Sequence, residues 1–176
     1  MQIDFSPELD KVLEYAREEA MRTGNYAILP DHLILGILRH ADNDACRLRA
    51  SLGIDSADLK HFIESQLFRR ASISYSEIDS IGYSRNAQSA LNMTVLETSL
   101  SGEQHARAVH LLLAVSRSTG NIGCEFMGRA GIGHEQLAEG WRSLQGKPTP
   151  KPARPEPPAP PRQVFRIVVD NNKIYS

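Results

Sequence analysis

The chain has 176 residues, 41% of them hydrophobic, and a formal net charge of −1. It is long enough for one sizeable core or two small ones, and its near balance of charge argues against a nucleic-acid binder, which carries a basic excess. Two cysteines, Cys46 and Cys124, cannot make a disulfide framework. No leader combines a basic start with an apolar core, and no run nears the roughly 20 apolar residues of a membrane helix, so a reducing, cytoplasmic setting without membrane contact is expected.

The first predicted helix opens at "FSPEL". Ser6 can cap it, Pro7 suits its first position, Glu8 favours its positive end, and Leu9, Val12, Leu13, Ala16 and Ala20 form one stripe before a left-handed stop at Gly24. A second helix runs over about 31–39, with apolar residues on most sides (Leu33, Ile34, Leu35, Ile37, Leu38), which implies burial. A short third helix covers about 44–52 and stops at Gly53. A fourth follows Asp55, with Asp58 three residues on as a weak capping-box variant and Leu59, Phe62, Ile63 and Leu67 as its core face. Residues 68–82 lack a helical period and read as an exposed connector.

The same series then begins again. A shift of 78 places Ser6 on Ser84, Leu13 on Leu91, Glu19 on Glu97, Gly24 on Gly102, His32 on His110, Arg39 on Arg117, Asn43 on Asn121, Cys46 on Cys124 and Gly53 on Gly131. No gap is needed. The second copy starts at Ser84, and Leu137, Trp141 and Leu144 give its last helix a core face. Beyond it the composition changes. "GKPTPKPARPEPPAPPR" is an extended, semi-rigid proline linker, and "VFRIVVDNNKIYS" is a β-prone tail expected to pack on some surface. The organisation is therefore a double repeat over 3–145 (3–67 and 83–145, connector 68–82), a linker over 146–163 and a tail over 164–176. The fold class is all-α, two tandem pseudo-symmetric four-helix repeats.

The stretch "FSPELDKVLEYAREEAMRTGNYAILPDHLILGIL" resembles the amino-terminal domain of the Clp family of AAA+ unfoldases (ClpA, ClpB and ClpC). The residues that carry the likeness are Phe5-Ser6, Val12-Leu13, Ala16 and Ala20, Pro30-Asp31-His32-Leu33-Ile34-Leu35-Gly36-Ile37, and Gly53-Ile54-Asp55. It covers about residues 3–144, with the second copy more divergent. The resemblance implies a tandem double repeat that is not catalytic and that docks adaptors and substrates for ATPase rings. Those rings carry G-x-x-x-x-G-K-[ST]; this sequence has no such motif, so no nucleotide binding is expected of this chain.

Three residue sets compete for a functional role. His32 and His110 fit a metal or general-base pair, and also a structural imidazole in the first turn of a buried helix, which is the favoured reading because no further ligand recurs at metal spacing. Asp31 is the one candidate protein-binding residue. The resemblance to ClpC-type domains implies that an acidic side chain here, in both copies, binds phosphorylated arginine. This chain has the shorter Asp in the first copy and Val109 in the second, so the favoured reading is again the plainer one, a carboxylate serving a helix N-terminus. Cys46 and Cys124 read as small buried hydrophobes in equivalent places rather than a redox pair.

The leading functional expectation is a non-catalytic protein-interaction module that binds substrate, adaptor or partner subunits, including Clp ATPase or protease subunits, through the surface between the repeats. No catalytic, cofactor or metal site is expected. The alternatives are a stand-alone accessory subunit docking on a Clp protease core and, in a different class, a small hydrolase using His32 or His110, for which no G-x-S-x-G elbow exists.

Overall fold

In the computed structural model the described residues are 2–69, 71–118 and 120–145. The linker and tail lie outside them. Among the described residues there are eight α-helices, four per repeat. The first repeat holds α1 (Pro7–Arg22), α2 (Pro30–His40), α3 (Asp44–Ser51) and α4 (Ser56–Leu67). The second holds α5 (Arg85–Leu100), α6 (Ala108–Ser116), α7 (Ile122–Arg129) and α8 (His134–Leu144).

The helix ends follow the capping chemistry. Ser6 accepts the Leu9 N–H at 3.1 Å and Ser84 the Ala87 N–H at 3.1 Å. Asn43 and Asn121 accept from the N–H groups of Cys46 and Cys124 at 2.8 and 2.7 Å, and Asp55 accepts from Asp58 at 2.9 Å. Gly24, Gly53, Gly102 and Gly131 close helices with φ between 75° and 79°, where a side chain costs conformational energy.

Four two-residue strands, invisible to a period-two search, tie the repeats together. β1 (Asp4–Phe5) pairs in parallel with β4 (His105–Ala106), and β2 (Ala27–Ile28) pairs in parallel with β3 (Gly82–Tyr83). The strand ahead of each repeat's first helix thus joins the strand after the other repeat's first helix, the reciprocity expected of a pseudo-twofold. The connector is not wholly exposed. Tyr75–Ser80 is a 3-10 turn, and Ile73 and Ile81 on either side of it are buried. Two anchors eight residues apart leave no helical period to detect.

Within each repeat the first two helices form a hairpin. Between repeats α2 meets α6, α4 lies on α7, and α3 lies on α8. The core is one continuous cluster containing Leu9, Leu33, Ile34, Leu48, Leu59, Leu111, Leu113, Met127 and Leu137. Phe62 and Phe126 meet across the seam with ring centroids 5.3 Å apart. Leu144, read from sequence as a core residue, is exposed at the last turn of α8, while Leu137 and Trp141 are buried. Every residue from Pro30 to Ile37 and from Ala108 to Val115 is buried.

Gly36 lets α1 and α2 approach. A Cβ there would lie 2.5 Å from the Val12 carbonyl oxygen, a backbone atom that cannot swing aside. A Gly36→Ala variant is therefore expected to lose about 1–3 kcal/mol of stability through overpacking, read as a lower urea midpoint; an unchanged midpoint would show that the hairpin yields.

Candidate functional site at the repeat seam

α2 and α6 start inside the core without a side-chain cap from the residue before them, Leu29 or Arg107. The histidine three residues on supplies the acceptor. His32 Nδ1 accepts the Leu29 N–H at 2.9 Å, and His110 Nδ1 accepts the Arg107 N–H at 3.0 Å. This is the back-reaching half of a capping box, with imidazole in place of the usual Glu. A ring whose Nδ1 accepts is neutral and carries its proton on Nε2. His32 Nε2 lies 3.0 Å from Thr23 Oγ1, which in turn donates to the Glu19 carbonyl at 2.8 Å. His110 Nε2 lies 3.3 Å from Glu103 Oε2. Both rings are fully buried, and neither offers a free lone pair. Among the described residues no group of three His, Cys, Asp or Glu side chains converges as a metal requires.

Asp31 also serves a helix N-terminus, but of the other repeat. Its Oδ2 accepts the Ile122 N–H at 3.0 Å and its Oδ1 the Gly123 N–H at 2.8 Å. The side chain is buried. Burial pushes its carboxyl up, and the two N–H bonds pull against that shift. Both oxygens are occupied, so an incoming guanidinium would have to compete with α7. Gly123 is part of this arrangement, since a Cβ there would lie 2.4 Å from Ile34 Cδ1.

The opposite junction is built around Asp44, Arg107 and Glu103, none of which the sequence singled out, together with Glu8, Val109 and Trp141. Asp44 Oδ1 accepts the Val109 N–H at 3.0 Å, Asp44 Oδ2 lies 3.1 Å from Arg107 Nη1, and Arg107 Nη2 reaches Glu103 at 2.5 Å. Arg107 also stacks over Trp141 at 5.3 Å. Glu8 accepts from the Ala108 N–H at 3.4 Å. No spacing within a single copy of the repeat signals this cluster, because Glu8 and Asp44 come from α1 and α3 of the first repeat while Glu103, Arg107, Val109 and Trp141 come from the second.

Beyond the seam, two buried carboxylates repeat the pseudo-symmetry. Glu19 pairs with Arg22 at 2.5 Å and Arg39 at 3.3 Å; Glu97 pairs with Arg117 and, at 3.0 Å, with His134. Cys46 and Cys124 both point at the carbonyl that ends the preceding helix core, of Ile37 and Val115. Burial raises both thiols, which suits inert packing rather than redox chemistry.

On the Asp31 side the seam opens into a cleft of about 390 Å³ lined by Leu29, Pro30 and Asp31 from the first repeat and Asn86, Ser89, Ser118, Gly120 and Asn121 from the second. Ser118, Gly120 and Asn121 also line a cleft of about 450 Å³ that runs along α7 past Cys124, Met127 and Ile132. On the Asp44 side, the counterparts of Leu29, Pro30 and Asn86 are Arg107, Ala108 and Glu8, which bond to Asp44, Glu103 and one another as described.

Residues 4–130 match the model of the family described as the Clp repeat (R) N-terminal domain. A Bacillus subtilis protein called negative regulator of genetic competence ClpC/MecB is 26% identical over 128 residues, covering 73% of this chain and 15% of that one. The chloroplastic chaperone protein ClpC2 of Arabidopsis thaliana is 30% identical over 157 residues, covering 80% and 15%. This chain thus spans about 15% of the length of these curated relatives. The Hsp104 N-terminal domain from Candida albicans shares the fold, with a TM-score of 0.66, 18% identity and coverage of 82% of this chain and 93% of that one.

The histidines carry a pH prediction. Burial lowers the His32 pKa to about 4 and shifts His110 in the same direction. An unfolded chain, with its ordinary imidazole pKa, binds protons first, so the contribution is full above about pH 6.5 and is lost as pH falls towards 4. For His32 this amounts to at most about 3 kcal/mol. Urea unfolding should show stability falling between pH 7 and pH 4.5, with a shallower fall in His32→Gln; identical pH profiles would contradict the buried neutral ring.

Proposed function

This chain belongs to the Clp repeat (R) N-terminal domain family, and we propose that it works as a non-catalytic protein-interaction module that binds substrate, adaptor or partner subunits of a Clp chaperone or protease system. The observation that carries the reading is the family match across both repeats. It is supported by the position of the cleft. A surface shared by two repeats exists only when both are folded and matched, so a partner bound there reads the assembled domain. Its wall is uncharged apart from Asp31, which favours an extended polypeptide whose backbone amides meet the exposed Asn86 and Ser89 over a strongly charged ligand.

In this proposal Asp31 contributes to binding by shaping the cleft, since its carboxylate holds the N-terminus of α7 in place. Work on the bound polypeptide belongs to ATPase modules acting with this domain, as in the proteins of the family. A cytoplasmic, reducing location is part of the same proposal and suits two free thiols.

The test is a titration of the isotope-labelled chain with reduced, carboxymethylated lactalbumin, a permanently unfolded protein. Amide shifts should cluster at Leu29–Asp31, at Asn86 and Ser89, and around Ser118, Gly120 and Asn121. Ser89→Trp, which fills the exposed rim, should weaken binding by about fivefold or more while leaving the melting temperature unchanged. Shifts confined to residues 146–176, or undiminished binding by the Trp variant, would reject the cleft.

A further inference from the structure

The internal repeat makes the seam its own control. Under the 78-residue shift, position 31 corresponds to 109 and position 44 to 122. The contact between 31 and 122 at one junction is therefore the duplicate of the contact between 109 and 44 at the other. Both are made, in opposite senses. At the first junction the carboxylate is on α2, and Asp31 accepts from Ile122 and Gly123. At the second it is on α3, and Asp44 accepts from Val109. The residues facing them, Ile122 and Val109, have no charge to offer. Each junction holds one carboxylate of this pair, aimed at a helix N-terminus of the opposite repeat.

That distribution depends on which repeats are joined. A first repeat joined to another first repeat would set Asp31 against Asp44 at both junctions. These side chains are buried, at 4% and 3% exposure, where two like charges in one site repel strongly. Leu29 would stand where Arg107 now binds Asp44, so the excess charge would lack its cation. A second repeat joined to a second would set Val109 against Ile122, leaving the N–H groups of both helix starts without a carboxylate acceptor. Only first with second places one member of the Asp31–Asp44 pair at each junction.

We propose that Asp31 and Asp44 are a pairing code: they make the first repeat's interface accept the second repeat and reject a second copy of itself. Copies of this domain crowded together would then keep their repeats correctly matched, instead of trading contacts between first repeats.

The code can be rewritten within the full chain and read by urea denaturation at pH 7. Ile122→Asp puts a second carboxylate against Asp31. Ile122→Asn is its uncharged match in size. Asp31→Val removes the acceptor. The double variant Asp31→Val/Ile122→Asp recreates at this junction the sense of contact found at the other. Ile122→Asp should lower the folded-to-unfolded ratio about tenfold more than Ile122→Asn, and the double variant should be about tenfold more stable than the product of the single effects. If Ile122→Asp fails to fold, recovery of folding in the double variant supports the code. Equal losses for the Asp and Asn variants, or a double variant no better than the product of its parents, would overturn it.

Discussion

A helix that begins inside a protein core brings unpaired N–H groups with it, and each must find an acceptor that water cannot supply. This fold begins four helices, α2, α3, α6 and α7, at the seam between its repeats, and much of what is distinctive in the molecule answers that requirement. His32 and His110 serve the residues just before α2 and α6. Glu8 and Asp44 serve the next two N–H groups of α6. Asp31 serves the first two of α7. The histidines act within their own repeat, whereas Glu8, Asp31 and Asp44 reach across. The second group ties the halves into one body.

The hydrophobic terms point the same way. α2 and α6 are buried on every side, which a single four-helix repeat could not achieve, and the core cluster runs through both copies. The strand pairs, each made of one strand from either repeat, hold the register of the seam. Gene duplication explains why the halves look alike. The asymmetry between them has a physical explanation: one junction is filled by Arg107, Glu103, Glu8 and Trp141, and the other is left open as a cleft beside Asp31.

Much of this was legible in the sequence. Period, caps and glycine stops located the helices, and the gapless repeat implied the symmetry, because those signals are local or repeat themselves. The structural reading of the two histidines was also accessible, since a His at the third helical position of an apolar helix has few other uses. What could not be read were pairings between distant positions. Val109 looked like a lost acidic residue until Asp44, 65 residues away, was seen to do its work from the other side. Asp31 reads as a carboxylate serving a helix N-terminus, but the helix whose N–H groups it accepts, α7, lies 91 residues along the chain, and no spacing rule reaches it. The four strands are too short to alternate, and the buried Ile73 and Ile81 are too few to reveal that the connector is anchored.

The central claim is that satisfying helix starts across the seam makes the two repeats a single cooperative unit, and native-state hydrogen exchange in low urea tests it directly. The most protected amides of α2 and α6 should converge on one opening free energy and respond to urea with one slope, because neither helix can be exposed while the other stays buried. Amides of α6 that open at a markedly lower free energy while those of α2 remain protected would mean that the first repeat stands alone, and would contradict the account.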